Sequence, residues 1–148
     1  MKKRSGFTLL ELIIALAIGA LITSTVLLSA QGAERSQRDT RRRADLNKLS
    51  TALEQWADNN SGKYPLVGTD VTMGKPMSGT FVSEGYWKAG SINDPRPGGG
   101  QYTYQSSAVT ASCPPGTDAT IGYVNPTPRQ FTLTMCLEGG VYTLTSSQ

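Results

Sequence analysis

Between residues 7 and 30 of this 148-residue chain, the only charged side chain is Glu11. Around it stand Leu, Ile, Ala and Val with a few Thr and Ser. An ionised carboxylate inside a bilayer costs roughly 2.5–3.5 kcal/mol on insertion scales, so a lone acid in such a run needs a partner. One partner lies on its own helix. Thr8-Leu9-Leu10-Glu11 fits the T-x-x-E capping box, and acids are favoured near helix starts. The other would be a positive group on a neighbouring molecule, since a salt bridge in low dielectric is strong when the geometry allows. Both readings stand, and they are compatible.

Other chemistry is narrowly bounded. The chain has no histidine, which removes the commonest general base and the commonest metal ligand. Ser-His-Asp and Cys-His arrangements are therefore impossible. Cys113 and Cys136 are too far apart in sequence for a CxxC motif or a zinc pattern. Asp70, Glu84, Asp94 and Asp118 are scattered acids without the close spacing that calcium ligands need. Gly98-Gly99-Gly100 is followed by no Lys-Ser/Thr and is no phosphate loop. No enzyme activity, cofactor or metal site is expected.

Charge narrows the partners further. The formal net charge is +3, and Lys2, Lys3 and Arg4 supply all of it. Without them the basic residues equal the 11 acidic ones in number, so no global basic field remains to recruit nucleic acid. Arg35, Arg38, Arg41, Arg42 and Arg43 form a local cluster. Glu34 with Arg38 and Asp39 with Arg43 are i,i+4 pairs in the favoured order, which reads as a solvated helix face. Ion pairs between subunits are the next reading, and DNA contact the last.

The elements that carry these groups follow from periodicity. Residues 1–6 are a short basic leader. Residues 7–30 would span about 36 Å as a helix, enough to cross a ~30 Å hydrocarbon core with some tilt. Positive charge on the leader should hold that end in the cytoplasm and send the rest outward. The apolar run is too long for an ordinary secretory signal and is not followed by a clear cleavage pattern. Gly6 sits on its other side, where a cut would remove the charges and keep the helix.

Nothing stops that helix at residue 30. Residues 34–59 contain no proline or glycine. Leu46, Leu49, Leu53, Trp56 and Ala57 share one helical face. Asn59-Asn60-Ser61-Gly62 supplies stop chemistry, and Pro65 closes the option of continuing. The whole helix is expected to run about 53 residues, or roughly 80 Å. A compact domain of this size cannot bury all of it.

The segment Lys3-Arg4-Ser5-Gly6-Phe7-Thr8-Leu9-Leu10-Glu11-Leu12-Ile13-Ile14 resembles the amino-terminal signature of type IV pilins and pseudopilins. The resemblance implies that a prepilin peptidase cuts between Gly6 and Phe7 and methylates the new amino terminus of Phe7. It also implies that Glu11 pairs with the freed terminus of Phe7 in a neighbouring subunit. Many family members carry a proline in the second half of the apolar helix. This chain has Leu28 there and no proline before Pro65, with Gly19 the only breaker in the run. Looser echoes follow. Residues 44–65, ending Gly62-Lys63-Tyr64-Pro65, resemble the helix exit of major pseudopilins and small bacterial pilins. Ile92-Asn93-Asp94-Pro95 and Gln101-Tyr102-Thr103-Tyr104 resemble their Asp-Pro loop leading into a strand.

The remainder reads as a small head. Residues 63–100 are punctuated by Gly, Pro and Ser and suggest a long loop with short local structure. Strand signals then appear at Tyr102 and Tyr104, at Ile121-Gly122-Tyr123-Val124, and along the alternation of Phe131, Leu133, Met135 and Leu137. Glu138-Gly139-Gly140 makes a turn into a last strand. The expected fold is α+β and pilin-like: a long N-terminal helix packed on a small antiparallel sheet of three or four strands. The expected organisation is a cleaved leader at 1–6, a transmembrane and filament-core helix at 7–30, an amphipathic helix half at 31–61, and a head at 62–148. On this topology the head lies outside the cytoplasm, where disulfides persist. A Cys113–Cys136 bridge would contribute roughly 3 kcal/mol in the chain-entropy model. The alternative is two separate buried thiols.

The function expected from this sequence is that of a structural subunit, a pilin of a type IV pilus-like filament. Its partners would be copies of itself, the prepilin peptidase, the assembly platform with minor pilins, and membrane lipid before assembly. It would sit in the cytoplasmic membrane first and at the cell surface afterwards. A pseudopilin of a type II secretion or competence system is the alternative. A non-polymerising, single-pass membrane anchor carrying a binding domain is the third reading.

Overall fold

The computed structural model describes residues 7–88, 90, 92–114 and 116–147. Gly6 and the rest of residues 1–6, expected to be a basic leader, lie outside the described residues. The chain divides into two compact units, Met1–Ser36 and Gln37–Gln148.

The first unit is helical. Helix α1 runs Leu9–Asn59, and its segment Leu9–Val26 is long and apolar enough to cross a membrane. The described side chains of residues 7–26 are all exposed, Phe7 to 89%. Helical hydrogen bonding is the one way a single segment satisfies its backbone in hydrocarbon, so an uncovered apolar helix is suited to lipid or to other helices.

The second unit contains the rest of α1 and a small α+β head. Leu46, Leu49, Leu53, Trp56 and Ala57 are all buried, which is the face that the sequence spacing marks out. The helix ends as the stop signals require. The Gly62 N–H donates to Ala57 O at 2.8 Å, the six-to-one bond of a Schellman end. Ser61 there takes φ 58°, a left-handed conformation that side chains other than Asn, Asp and Gly seldom adopt.

The segment after the helix is not structureless. A single turn, α2 (Thr80–Ser83), brings Phe81 edge-on to Trp56, with ring centroids 5.8 Å apart. Tyr86 packs on both rings. The loop thus closes the end of the helix with aromatic contacts.

Four strands follow: β1 (Thr103–Gln105), β2 (Thr120–Thr127), β3 (Gln130–Leu137) and β4 (Gly140–Ser147), in the sheet order β1-β2-β3-β4. β2, β3 and β4 are antiparallel neighbours. β1 is not: it pairs parallel with β2, Tyr104 opposite Ile121. The sheet is therefore mixed, which corrects the expectation of an all-antiparallel one. The physical reason lies in residues 106–119. A hairpin needs only a tight turn, whereas a parallel pair needs a crossover of about a dozen residues or more, and this segment is long enough.

That crossover also explains the burial of β3. A half-exposed strand would bury only Phe131, Leu133, Met135 and Leu137. In fact Thr134 and Cys136 on the opposite face are buried too. The crossover lies across them. The Val109 N–H donates to Thr134 Oγ1 at 2.7 Å, and the Cys113 N–H donates to Leu137 O at 3.0 Å. Cys113 and Cys136 are joined as a disulfide, fixing the crossover to β3. At Gly122 a Cβ would stand 2.3 Å from Ser107 O and 2.5 Å from Thr134 Oγ1, so only glycine admits so close a crossing.

Candidate assembly segment and the ionic frame of the head

The start of α1 is a complete capping box. The Thr8 N–H and the Thr8 hydroxyl both donate to Glu11 Oε2, at 2.9 and 3.0 Å. The Glu11 N–H returns a bond to Thr8 Oγ1 at 3.3 Å. Two backbone donors that a helix start leaves orphaned are satisfied this way. The capping reading of Glu11 is therefore realised in the structure. The charge itself remains, because every partner in the box is neutral.

Within Leu9–Val26 the other polar side chains are handled within the helix. The hydroxyls of Thr23, Ser24 and Thr25 donate to the carbonyls of Gly19, Leu21 and Ile22, each at 2.8 Å. Such back-bonding removes unsatisfied donors from an apolar helix surface. Glu11 alone cannot be silenced by this device, since a carboxylate accepts and does not donate.

In the second unit the basic cluster does something its spacing does not announce. Arg42 is buried and clamps buried Asp94, Nε to Oδ2 and Nη2 to Oδ1, both at 3.0 Å. The same carboxylate accepts from the N–H groups of Arg96 and Ala119, at 3.0 and 2.9 Å. Arg38 Nε donates to Glu138 at 2.6 Å. Asp39 accepts from the Glu138 and Gly139 N–H groups at 3.0 and 3.2 Å, and lies 3.4 Å from Arg42. Arg43 lies over the Tyr142 ring, 5.4 Å from its centroid. Three of the five arginines thus build the head. The reading of this stretch as a solvated face fails for Arg38 and Arg42, because each also takes a carboxylate from far away in the chain, Glu138 for Arg38 and Asp94 for Arg42.

Three of the four scattered acids serve the same purpose. Asp70 accepts from the Leu66 N–H at 2.8 Å, and Asp94 is held by Arg42. Asp118 accepts from Lys75 Nζ at 2.6 Å, from Arg96 Nη2 at 2.7 Å and from the Gly100 N–H at 2.8 Å. The bond from Lys75 lowers its pKa most, followed by the Gly100 N–H and then Arg96. They hold the carboxyl well below the usual carboxylate range. Among the described residues no group of three or more His, Cys, Asp or Glu could hold a metal ion.

Buried phenols complete the frame. Tyr102 donates to Asp45 Oδ2 at 3.0 Å, linking the start of the sheet to α1. Tyr123 donates to Pro65 O at 2.7 Å, fixing the helix exit to β2. Burial pushes the Tyr104 phenol up to about 12. The sequence marks these tyrosines as strand residues, but nothing in it marks their partners.

Comparison with known proteins concerns the first unit. Residues 1–27 match the family model described as the prokaryotic N-terminal methylation motif, the signature of type IV pilins and pseudopilins. No curated protein and no solved structure matches the chain. The motif supports a type IV pilin-like or pseudopilin precursor, and it coincides with the exposed apolar helix that begins at the Thr8–Glu11 box.

Proposed function

We propose that this chain is a structural pilin, a subunit of a type IV pilus-like filament, and not an enzyme. The observation that carries the reading is Glu11: the sole charge of an uncovered apolar helix, capped by Thr8 yet not neutralised, inside the methylation motif. A leader at 1–6 is removed between Gly6 and Phe7, and Phe7 is methylated. The freed α-amino group of one subunit then neutralises Glu11 of the next. Copies repeat by a head-to-tail contact that does not close, which generates a helical fibre.

In this reading residues 7–30 form the fibre core, residues 31–61 lead out of it, and residues 62–148 form the surface head. Membrane lipid solvates the helix before assembly. Prepilin peptidase, an assembly platform and minor pilins are the partners, and the finished fibre lies outside the cell. A pseudopilin of a secretion or DNA-uptake machine would share every one of these features and differ in fibre length.

The deciding experiment is mass spectrometry of the native amino terminus. A mature chain beginning at methylated Phe7 is the expected result. A fibre-incorporated chain that still begins at Met1 overturns the proposal, because no amino group would stand near Glu11.

A further inference from the structure

The two edges of the sheet are treated differently. β1 is three residues long, and its outer side is closed by the Tyr104 N–H donating to Gly74 O at 2.9 Å. β4 is eight residues long and pairs with β3 without a register shift. The β3–β4 link is a two-residue turn, with Leu137 opposite Gly140. In such a hairpin the pair flanking the turn exchanges hydrogen bonds, and bonded pairs then recur every second residue. Gly140, Tyr142 and Leu144 therefore bond inward, while Val141, Thr143 and Thr145 turn their N–H and C=O groups outward. Among the described residues, no hydrogen bond reaches those outward groups. Exposed edges are usually blunted by a charge, a proline, a bulge or a short strand, and β4 has none of these.

We infer that β4 is a docking edge for β4 of a second copy of this chain, paired antiparallel about Thr143. Three observations select this occupant. The strand carries no charge, so self-pairing sets no like charges against each other. Its outward residues, Val141, Thr143 and Thr145, are β-branched at both ends and at the centre, so a two-fold axis at Thr143 places Val141 opposite Thr145. The same register sets Tyr142 opposite the partner's Leu144 on the helix-facing side. Both side chains are only half-buried against the core, and each gains an apolar cross-strand neighbour. The union continues the sheet from four strands to eight. A two-fold contact closes on itself and adds nothing to a polar fibre. It therefore joins heads of different fibres, or two subunits before assembly.

The test uses the full chain in non-ionic detergent with its native disulfide intact. Thr143→Cys places two thiols at a bonded antiparallel pair, where Cα atoms lie ~5.5 Å apart and a disulfide fits. Mild oxidation is expected to give a dimer linked through position 143 in at least ten-fold greater yield than Thr51→Cys, on the exposed helix face. Adding Val141→Pro, which removes an outward N–H and no bond to β3, or Thr145→Lys should return the yield to that of Thr51→Cys. Adding Glu11→Ala should leave the yield unchanged, which separates this contact from the fibre reading. Equal yields from Thr143→Cys and Thr51→Cys overturn the inference. So does a Thr143→Cys yield that survives both edge substitutions.

Discussion

Arg42 and Asp94 meet as a two-pronged pair with side chains 1% and 0% exposed, although they stand 52 positions apart in sequence. One comes from the polar stretch of α1 and the other from the loop before β1. Their bond, extended through Asp39, Arg38 and Glu138, ties helix, loop and β3–β4 turn into one frame.

A buried charge left alone is far more costly than a buried pair. Arg42→Ala and Asp94→Ala should each destabilise the head by about 3–5 kcal/mol. Denaturant unfolding of the full chain in detergent measures this. Replacing both residues together by apolar ones should cost clearly less than the two single losses added. If either single substitution shifts stability by less than about 1 kcal/mol, the frame is not what holds the loop to the helix.

Gly122 tests the crossover. Its φ is ordinary, so strain from a side chain would be steric and not conformational. Gly122→Ala drives a methyl into Ser107 O and Thr134 Oγ1 and should cost about 1–3 kcal/mol. Amide exchange should quicken selectively across residues 106–113. An unchanged exchange pattern and midpoint would show that the segment has room to move.

Asp118 predicts an acid dependence. Its folded pKa is depressed, so the stability it contributes is present above its unfolded value, about 3.9, and is lost as pH falls below that. Asp118→Asn should therefore lower the urea midpoint at pH 7, and the gap to wild type should narrow at pH 3. A gap that stays constant between the two values would assign its role to shape alone.

Glu11 has two roles that substitutions can separate. Glu11→Gln keeps an acceptor for the Thr8 N–H and removes the charge. Thr8→Ala loses the hydroxyl of the box and keeps the charge. If charge pairing drives assembly, Glu11→Gln should abolish filaments, counted by electron microscopy, while Thr8→Ala costs about 1 kcal/mol of helix start and leaves them. The reverse pattern would leave capping as the residue's whole task.

Much of this protein can be read from its residues in order. Helix α1, its buried Leu46–Leu49–Leu53–Trp56 face, its stop at Ser61 and Gly62 and the β3–β4 hairpin all depend on groups a few residues apart. Local spacing carries that information, and so does the motif around Gly6, Phe7 and Glu11. The parallel seat of β1, the second buried face of β3 and the Arg42–Asp94 clamp have no local signature. Each depends on where the 106–119 crossover and the loop before β1 come to rest, and packing against the whole sheet decides that. An arginine beside other arginines reads as solvated until tertiary structure brings a buried carboxylate from elsewhere, because a charge pair needs proximity in space and not in sequence.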